Sequence, residues 1–307
     1  MGKRKSRSKD QAGFDKYFKR LGKSDPAIAK ELKQFNKDVN ESTDRSFALP
    51  SRFESPDELR PESVVLRVGR PVLDVRRGAA VIDIEEVESQ VWKRRLTQSS
   101  TRLAPAIAGI GRIDVVNFPN PRIKFVGTGW LIRDNVVVTN RHVAELFAEG
   151  NGLEFRIAEG IDGKPISPRV DFLEEFNNDL SSEFQVFKVA YIEKKTGPDL
   201  AFLRIEPKPG GDLPDPVSLS STAPQKGDQV AVVGYPARDP FFPFPETMDR
   251  IFKSRYDKKR LAPGLVTGSK SHRLTHDCST LGGEFRCCDC FVGNWSSRCP
   301  AFRWNAF

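Results

Sequence analysis

The sequence predicts an all-β protein, a double β-barrel whose second barrel is incomplete, preceded by a disordered basic tail and a short helix. Three observations carry this. Short segments rich in Val, Ile and Phe recur between turn residues from Arg112 onward. With 22 Pro and 23 Gly in 307 residues, the chain is too turn-rich for a helical bundle. A Pro- and Gly-rich connection, Pro207 to Pro216, divides the strand-like segments into two sets. A chain of this length holds a tail plus one two-lobed unit.

Taken in order, residues 1–62 are polar, charged and broken by Pro26, Pro50, Pro56 and Pro61, so they read as a tail with a short helical stretch around Ala27 to Phe35. Residues 63–100 form a helical lead-in, because Ile84, Val87, Val91 and Trp92 recur at three- and four-residue steps among Glu, Lys and Arg, a pattern running to Thr97. The main domain spans 101–283. Its first barrel (110–206) takes Arg112 to Phe118, Ile123 to Ile132, Val136 to Asn140, Glu154 to Ile157, Phe184 to Ile192 and Leu200 to Ile205. The second (217–283) opens with Gln229 to Pro236 and continues through Gly264 to Ser269 and Arg273 to Thr275, with little chain left to close it. The loop Pro236 to Pro245, with Phe241, Phe242 and Phe244, reads as a cap on the core or as the rim of a cleft. Residues 284–307 do not continue the pattern.

The net charge is +8, and Lys3 to Lys9 with Lys16, Lys19, Arg20 and Lys23 place much of the excess in the tail. Such a tail can neutralise nucleic-acid phosphates, but it lacks interleaved aromatic platforms, so a solvated extension is the simpler reading. No apolar run is long enough to cross a membrane, and no apolar segment follows the basic start as in a signal peptide. The expected location is cytoplasmic. Gly2 and Ser6 fit the short myristoylation pattern, one that is common by chance.

The chemistry is concentrated in two places. Gly127-Thr128-Gly129-Trp130 through Val136-Val137-Val138-Thr139-Asn140-Arg141-His142-Val143 reads as a two-strand hairpin that delivers His142 from the end of an apolar strand. Later, Pro198-Asp199-Leu200-Ala201-Phe202-Leu203 begins an apolar strand with a lone acid, which must find a partner if it enters the interior. An imidazole base with a carboxylate on its other nitrogen is the pair that activates a hydroxyl for acyl transfer. Singly, each is as compatible with a structural residue.

Together with Gly234-Tyr235-Pro236 at a strand end, these motifs resemble the chymotrypsin-fold (trypsin-like) bacterial serine peptidases, closest to the glutamyl-endopeptidase type, over roughly Arg112 to Gly283. The resemblance implies a two-barrel fold, peptide-bond hydrolysis, a polypeptide substrate and no metal or cofactor. It implies that His142 is the base and Asp199 its orienting acid. Val143 stands where animal digestive enzymes carry a disulfide cysteine, which suits a reducing compartment. Leu274 to Gly283 should lead into Asn-Ser-Gly, with Ser as nucleophile and the Gly283 amide in the oxyanion hole. Here Glu284-Phe285-Arg286 follows, so Phe285 occupies the nucleophile's place and the chain as written should form no acyl-enzyme. Ser279 lies several residues too early to substitute.

The genetic code supplies a reason. Glu284 to Cys290 can be encoded GAA TTC CGG TGC TGC GAT TGT, and loss of the first G gives AAT TCC GGT GCT GCG ATT GTT, which reads Asn-Ser-Gly-Ala-Ala-Ile-Val. The expectation is therefore a frameshift at Glu284, with a junction at the GAATTC cloning site as a second route. Four of the five cysteines, Cys287, Cys288, Cys290 and Cys299, fall in this tail, while Cys278 precedes it. A zinc site with His272 or His276 is the alternative, but the spacing is not that of a paired knuckle. Two other readings stay open: a pseudoprotease that binds peptides without cleaving them, and the front part of a longer nuclease-containing protein. The missing residues beyond the nucleophile leave only the resemblance to suggest glutamate preference.

Overall fold

In a computed structural model the described residues are 69–150, 154–206, 212–219, 224–238, 245–270 and 273–281, with the backbone of two further strands at 290–293 and 301–303. The tail, the Phe241 to Phe244 loop and the Gly283 to Phe285 stretch lie outside them.

The chain enters the fold as strand, where the sequence predicts only helix. β1 (Leu73–Arg76) and β2 (Ala79–Ala80) pair as Val75↔Ala80 and Arg76↔Ala79 around Arg77 and Gly78, both at positive φ (51° and 71°). Two successive left-handed residues make the tight turn that matches strand twist. A 3-10 turn at Val87–Ser89 leads into α1 (Gln90–Ala108), which buries Trp92, Leu96, Ser99, Leu103, Ala106 and Ile107. The apolar steps at Ile84, Val87 and Val91 therefore do not mark one helical face. Ile84 and Val87 precede the helix, and Val87 and Val91 are 82% and 45% exposed. The stripe that packs is the later one, at i, i+4 and i+7 from Trp92.

The first barrel closes. β3 (Ile110–Val116), β4 (Phe125–Arg133) and β5 (Val136–Thr139) are followed by a helical turn, α2 (Arg141–Ala144). Next come β6 (Ala148–Gly150), β7 (Phe155–Ile157), β8 (Ser167–Asp171), β9 (Glu183–Ile192) and β10 (Ala201–Ile205). The ring order is β10-β5-β4-β3-β8-β9. One expected member is replaced. The Glu154 to Ile157 segment pairs with β6 in a separate two-stranded sheet, and β8 takes its place in the ring. Pro168 hides β8 in the sequence, but it sits opposite Val115 just outside the stretch of β8 that pairs with β9, where a missing N–H is tolerated. Inside the barrel Ile113, Val126, Leu131, Val137, Val143, Val170, Ala201, Leu203 and Ile205 are fully buried.

The second lobe is a seven-stranded sheet. β11 (Gln229–Gly234) is followed by α3 (Pro245–Ile251), β12 (Arg260–Lys270), β13 (Arg273–His276), β14 (Cys290–Gly293) and β15 (Ala301–Arg303). The order is β15-β14-β11-β12-β1-β2, with β13 on β12. β1 thus extends the sheet through Leu73↔Leu261 and Asp74↔Arg260. Arg260 fixes this join from inside, donating to the carbonyls of Leu73 (3.1 Å) and Val72 (3.1 Å) and pairing with Asp74 (3.1 Å). The chain after Glu284 contributes β14 and β15, where alternation predicts none. Pairing there is by backbone, Val230↔Gly293 through Val233↔Cys290, and the bare edge of β11 accepts any extended segment. A second core lies between α1, the sheet and the outer face of β4 and β5, formed by Trp92, Leu96, Ile107, Val233, Tyr235, Leu261, Trp130 and Val138. Among the described residues no helix is long and apolar enough to cross a membrane.

Candidate active site

The site is built where β5 ends and β10 begins. These strands pair antiparallel as Ala201↔Thr139, so the residues just beyond each end, Asn140 to His142 and Asp199, face one another. Thr139 Oγ1 donates to the Thr128 carbonyl at 2.8 Å, pinning the end of β5 to β4. Asn140, extended at φ −71° and ψ 148°, then turns the chain into α2 and donates from Nδ2 to the Asp199 carbonyl at 3.2 Å. Behind the turn, fully buried Val143 lies against Gly127. The first glycine of the Gly-Thr-Gly motif is thereby explained, because a Cβ at Gly127 would fall 2.7 Å from Val143 Cγ2.

His142 and Asp199 meet through both oxygens of the carboxylate. The His142 amide donates to Asp199 Oδ1 at 3.1 Å, and His142 Nδ1 lies 2.6 Å from Asp199 Oδ2. The carboxylate is 7% exposed and the imidazole 26%, so the acid is enclosed while the ring keeps an open side. Burial pushes the Asp199 carboxyl up, but the hydrogen bonds and charge of His142, with the Arg141 guanidinium, outweigh it and hold the group below its ordinary value. An ionised carboxylate on Nδ1 fixes the tautomer that leaves Nε2 to exchange protons with a reactant.

The stretch leading to the expected nucleophile is held from the other side of the second lobe. Asp277 accepts from the Leu265 amide at 2.6 Å and from the Arg70 guanidinium, and Ser279 Oγ donates to the Arg70 carbonyl at 2.9 Å. Ser279 is buried and its hydroxyl committed, so it offers no substitute nucleophile. Arg70 in turn lies over the Trp92 ring, whose Nε1 donates to the Gly69 carbonyl at 2.7 Å. Sequence patterning gives no sign of this clasp, since Arg70 and Asp277 are linked only by the fold. Gly283, expected in the oxyanion hole, and Phe285 lie outside the described residues. Cys278 is a buried free thiol whose amide donates to His276 Nδ1 at 3.1 Å. Among the described residues no group of three or more His, Cys, Asp or Glu side chains is arranged to hold a metal.

Comparison with known proteins identifies the family. The family model described as trypsin-like peptidase domain matches residues 127–287, more than half the chain and inclusive of both His142 and Asp199. Exfoliative toxin A of Staphylococcus aureus is 27% identical over 146 residues, which is 45% of this chain and 45% of that protein. The match thus spans less than half the length of this relative. By extent of match, by its closed six-stranded barrel and by the placement of its motifs, the chain belongs to the trypsin-like peptidase domain family.

Proposed function

We propose that this chain is a serine endopeptidase domain in which His142 is the general base and Asp199 its orienting acid, with the nucleophilic serine displaced by a shift of reading frame at Glu284. The observation that carries the reading is the 2.6 Å contact between His142 Nδ1 and Asp199 Oδ2. In the reaction, Nε2 removes the serine proton as Oγ bonds to the scissile carbonyl carbon. The oxyanion is met by backbone amides, that of Gly283 among them. The proton then passes to the leaving amine as the C–N bond breaks, and water releases the acyl group by the same route. A glutamate preference accords with the resemblance to glutamyl endopeptidases.

As written, Phe285 cannot attack a carbonyl, and the chain is inactive. Under one choice of codons the shifted frame supplies more than the nucleophile. Arg298 to Trp304 can be encoded AGG TGT CCT GCA TTT CGG TGG, and with the next base the shifted frame reads GGT GTC CTG CAT TTC GGT GGA. That is Gly-Val-Leu-His-Phe-Gly-Gly, a β-prone segment of the kind a second barrel needs. Sequencing the DNA across Glu284 tests the reading directly. Codons incompatible with Asn-Ser-Gly would sink it, and a restored protein should degrade an unfolded polypeptide that the chain as written leaves intact.

One observation favours a second reading, a peptide-binding module without chemistry. The chain as written does add β14 and β15 to β11. A monomeric product of this sequence that melts cooperatively would support that reading, and an aggregating one would support the frameshift.

A further inference from the structure

We infer that Arg141 is a positioning residue that braces the turn carrying Asp199 and closes the carboxylate against His142. Its guanidinium donates from Nη1 to the carbonyls of Lys194 (3.0 Å) and Pro198 (3.5 Å), the two ends of the turn that delivers Asp199. That turn is itself tight: the Gly197 amide donates to the Lys194 carbonyl at 2.9 Å, and a Cβ on Gly197 would meet the Glu193 side chain at 2.7 Å. Nη2 lies 3.9 Å from Asp199 Oδ1, the oxygen that also accepts the His142 amide. Nε faces Glu145 Oε1 at 3.8 Å, one turn along α2. One side chain therefore ties the helical turn bearing the histidine to the loop bearing the acid. The planar fork matters, because Nη1 serves the two carbonyls while Nη2 and Nε, held apart in the same rigid plane, face Asp199 and Glu145.

The position is also electrostatically consequential. The Asp199 carboxylate is faced by His142 and Arg141 from α2, and the nearby charges on the preceding loop are Glu193 and Lys194, with Glu145 behind Arg141. Of these, His142 and Arg141 are the groups that hold Asp199 ionised against its burial. Removing the guanidinium removes one constraint on carboxylate rotation and one positive charge that favours the ionised form.

The inference rests on the proposed base and acid roles, but its test needs no nucleophile. In the full chain as written, a short Nδ1–H···O bond gives a strongly deshielded proton, assigned by its loss in His142→Ala and Asp199→Asn. In Arg141→Met that proton should exchange with water roughly tenfold faster, the factor that loss of one charged hydrogen bond supplies, and the Asp199 carboxyl carbon should titrate at higher pH. Arg141→Lys should restore the titration and leave exchange fast. A purely structural role would change melting without this split. Unchanged exchange and titration in Arg141→Met would overturn the inference. If that variant does not fold, Arg141→Lys decides alone, and exchange equal to the parent's would overturn it. Absence of the signal from the parent chain would overturn the His142–Asp199 pair itself and this inference with it. A restored protein that lacks activity but keeps the signal would sink only the proposed function.

Discussion

Lys259 and Glu175 form an ion pair at 3.6 Å with both side chains wholly buried, joining the strand-rich second lobe to the loop after β8. The ammonium also donates to the carbonyls of Ile107 (3.1 Å) and Phe172 (2.8 Å), and Glu175 accepts from the Gly78 amide at 3.0 Å. Helix, barrel, sheet and the β1–β2 turn thus converge on one pair of charges. Such a pair adds little net stability over an apolar replacement, yet breaking it strands a charge.

Lys259→Met should therefore destabilise the protein by roughly 3–5 kcal/mol in denaturant unfolding, and Lys259→Met with Glu175→Gln should recover much of that. The pH dependence has a definite sign. Burial lowers the Lys259 group to about 8 against an ordinary 10.5, so between these values the unfolded chain binds more protons than the folded one. Stability contributed by this residue rises with pH across that window. Unfolding from pH 8 upward should show a steeper positive slope in the parent than in Lys259→Met.

Asp199→Asn keeps the shape and removes the charge. The depressed carboxyl contributes stability that is present above its ordinary value and is lost as pH falls through its folded value. The variant should be less stable by roughly 1.5–3 kcal/mol near neutrality, with the gap closing in acid. A gap that widened in acid would mean the carboxyl is raised instead.

Gly127→Ala places a Cβ 2.7 Å from Val143 Cγ2 and 3.0 Å from Cγ1, directly beneath the turn that presents His142. Overpacking of this kind costs about 1–3 kcal/mol. The melting temperature should fall, and adding Val143→Ala should recover part of the loss by making room.

Leu96 is fully buried at the join of α1 and the second lobe. Leu96→Ala should cost about 2–5 kcal/mol, whereas Val87→Ala, at an 82% exposed position, should be close to neutral. Equal effects would place the packing face of the lead-in where the early periodicity puts it.

Local patterning made the candidate site legible and left its supports hidden. His142 and Asp199 stand out because each follows or precedes an apolar strand, and a lone acid entering a core demands a partner. Five of the six barrel strands follow from β-branched runs. β8 does not, because Pro165 and Pro168 mask it. Nor does β1, where Asp74 interrupts an apolar run although it is buried against Arg260 and Arg255, residues far along the chain. The start of α1 is misplaced by the same cause, since what Trp92 packs against is set by strands that local periodicity cannot see. Arg141, Lys259 and Arg70 look like solvated charges in the sequence, and their roles exist only once distant loops converge.

The most direct test restores the frame by removing one base at Glu284 and treats the purified protein with a fluorophosphonate. Intact-mass and peptide analysis should find a single adduct on the serine that replaces Phe285, and His142→Ala in the same background should abolish it. A restored, folded protein that stays unlabelled, or one labelled equally with and without His142, would contradict the account.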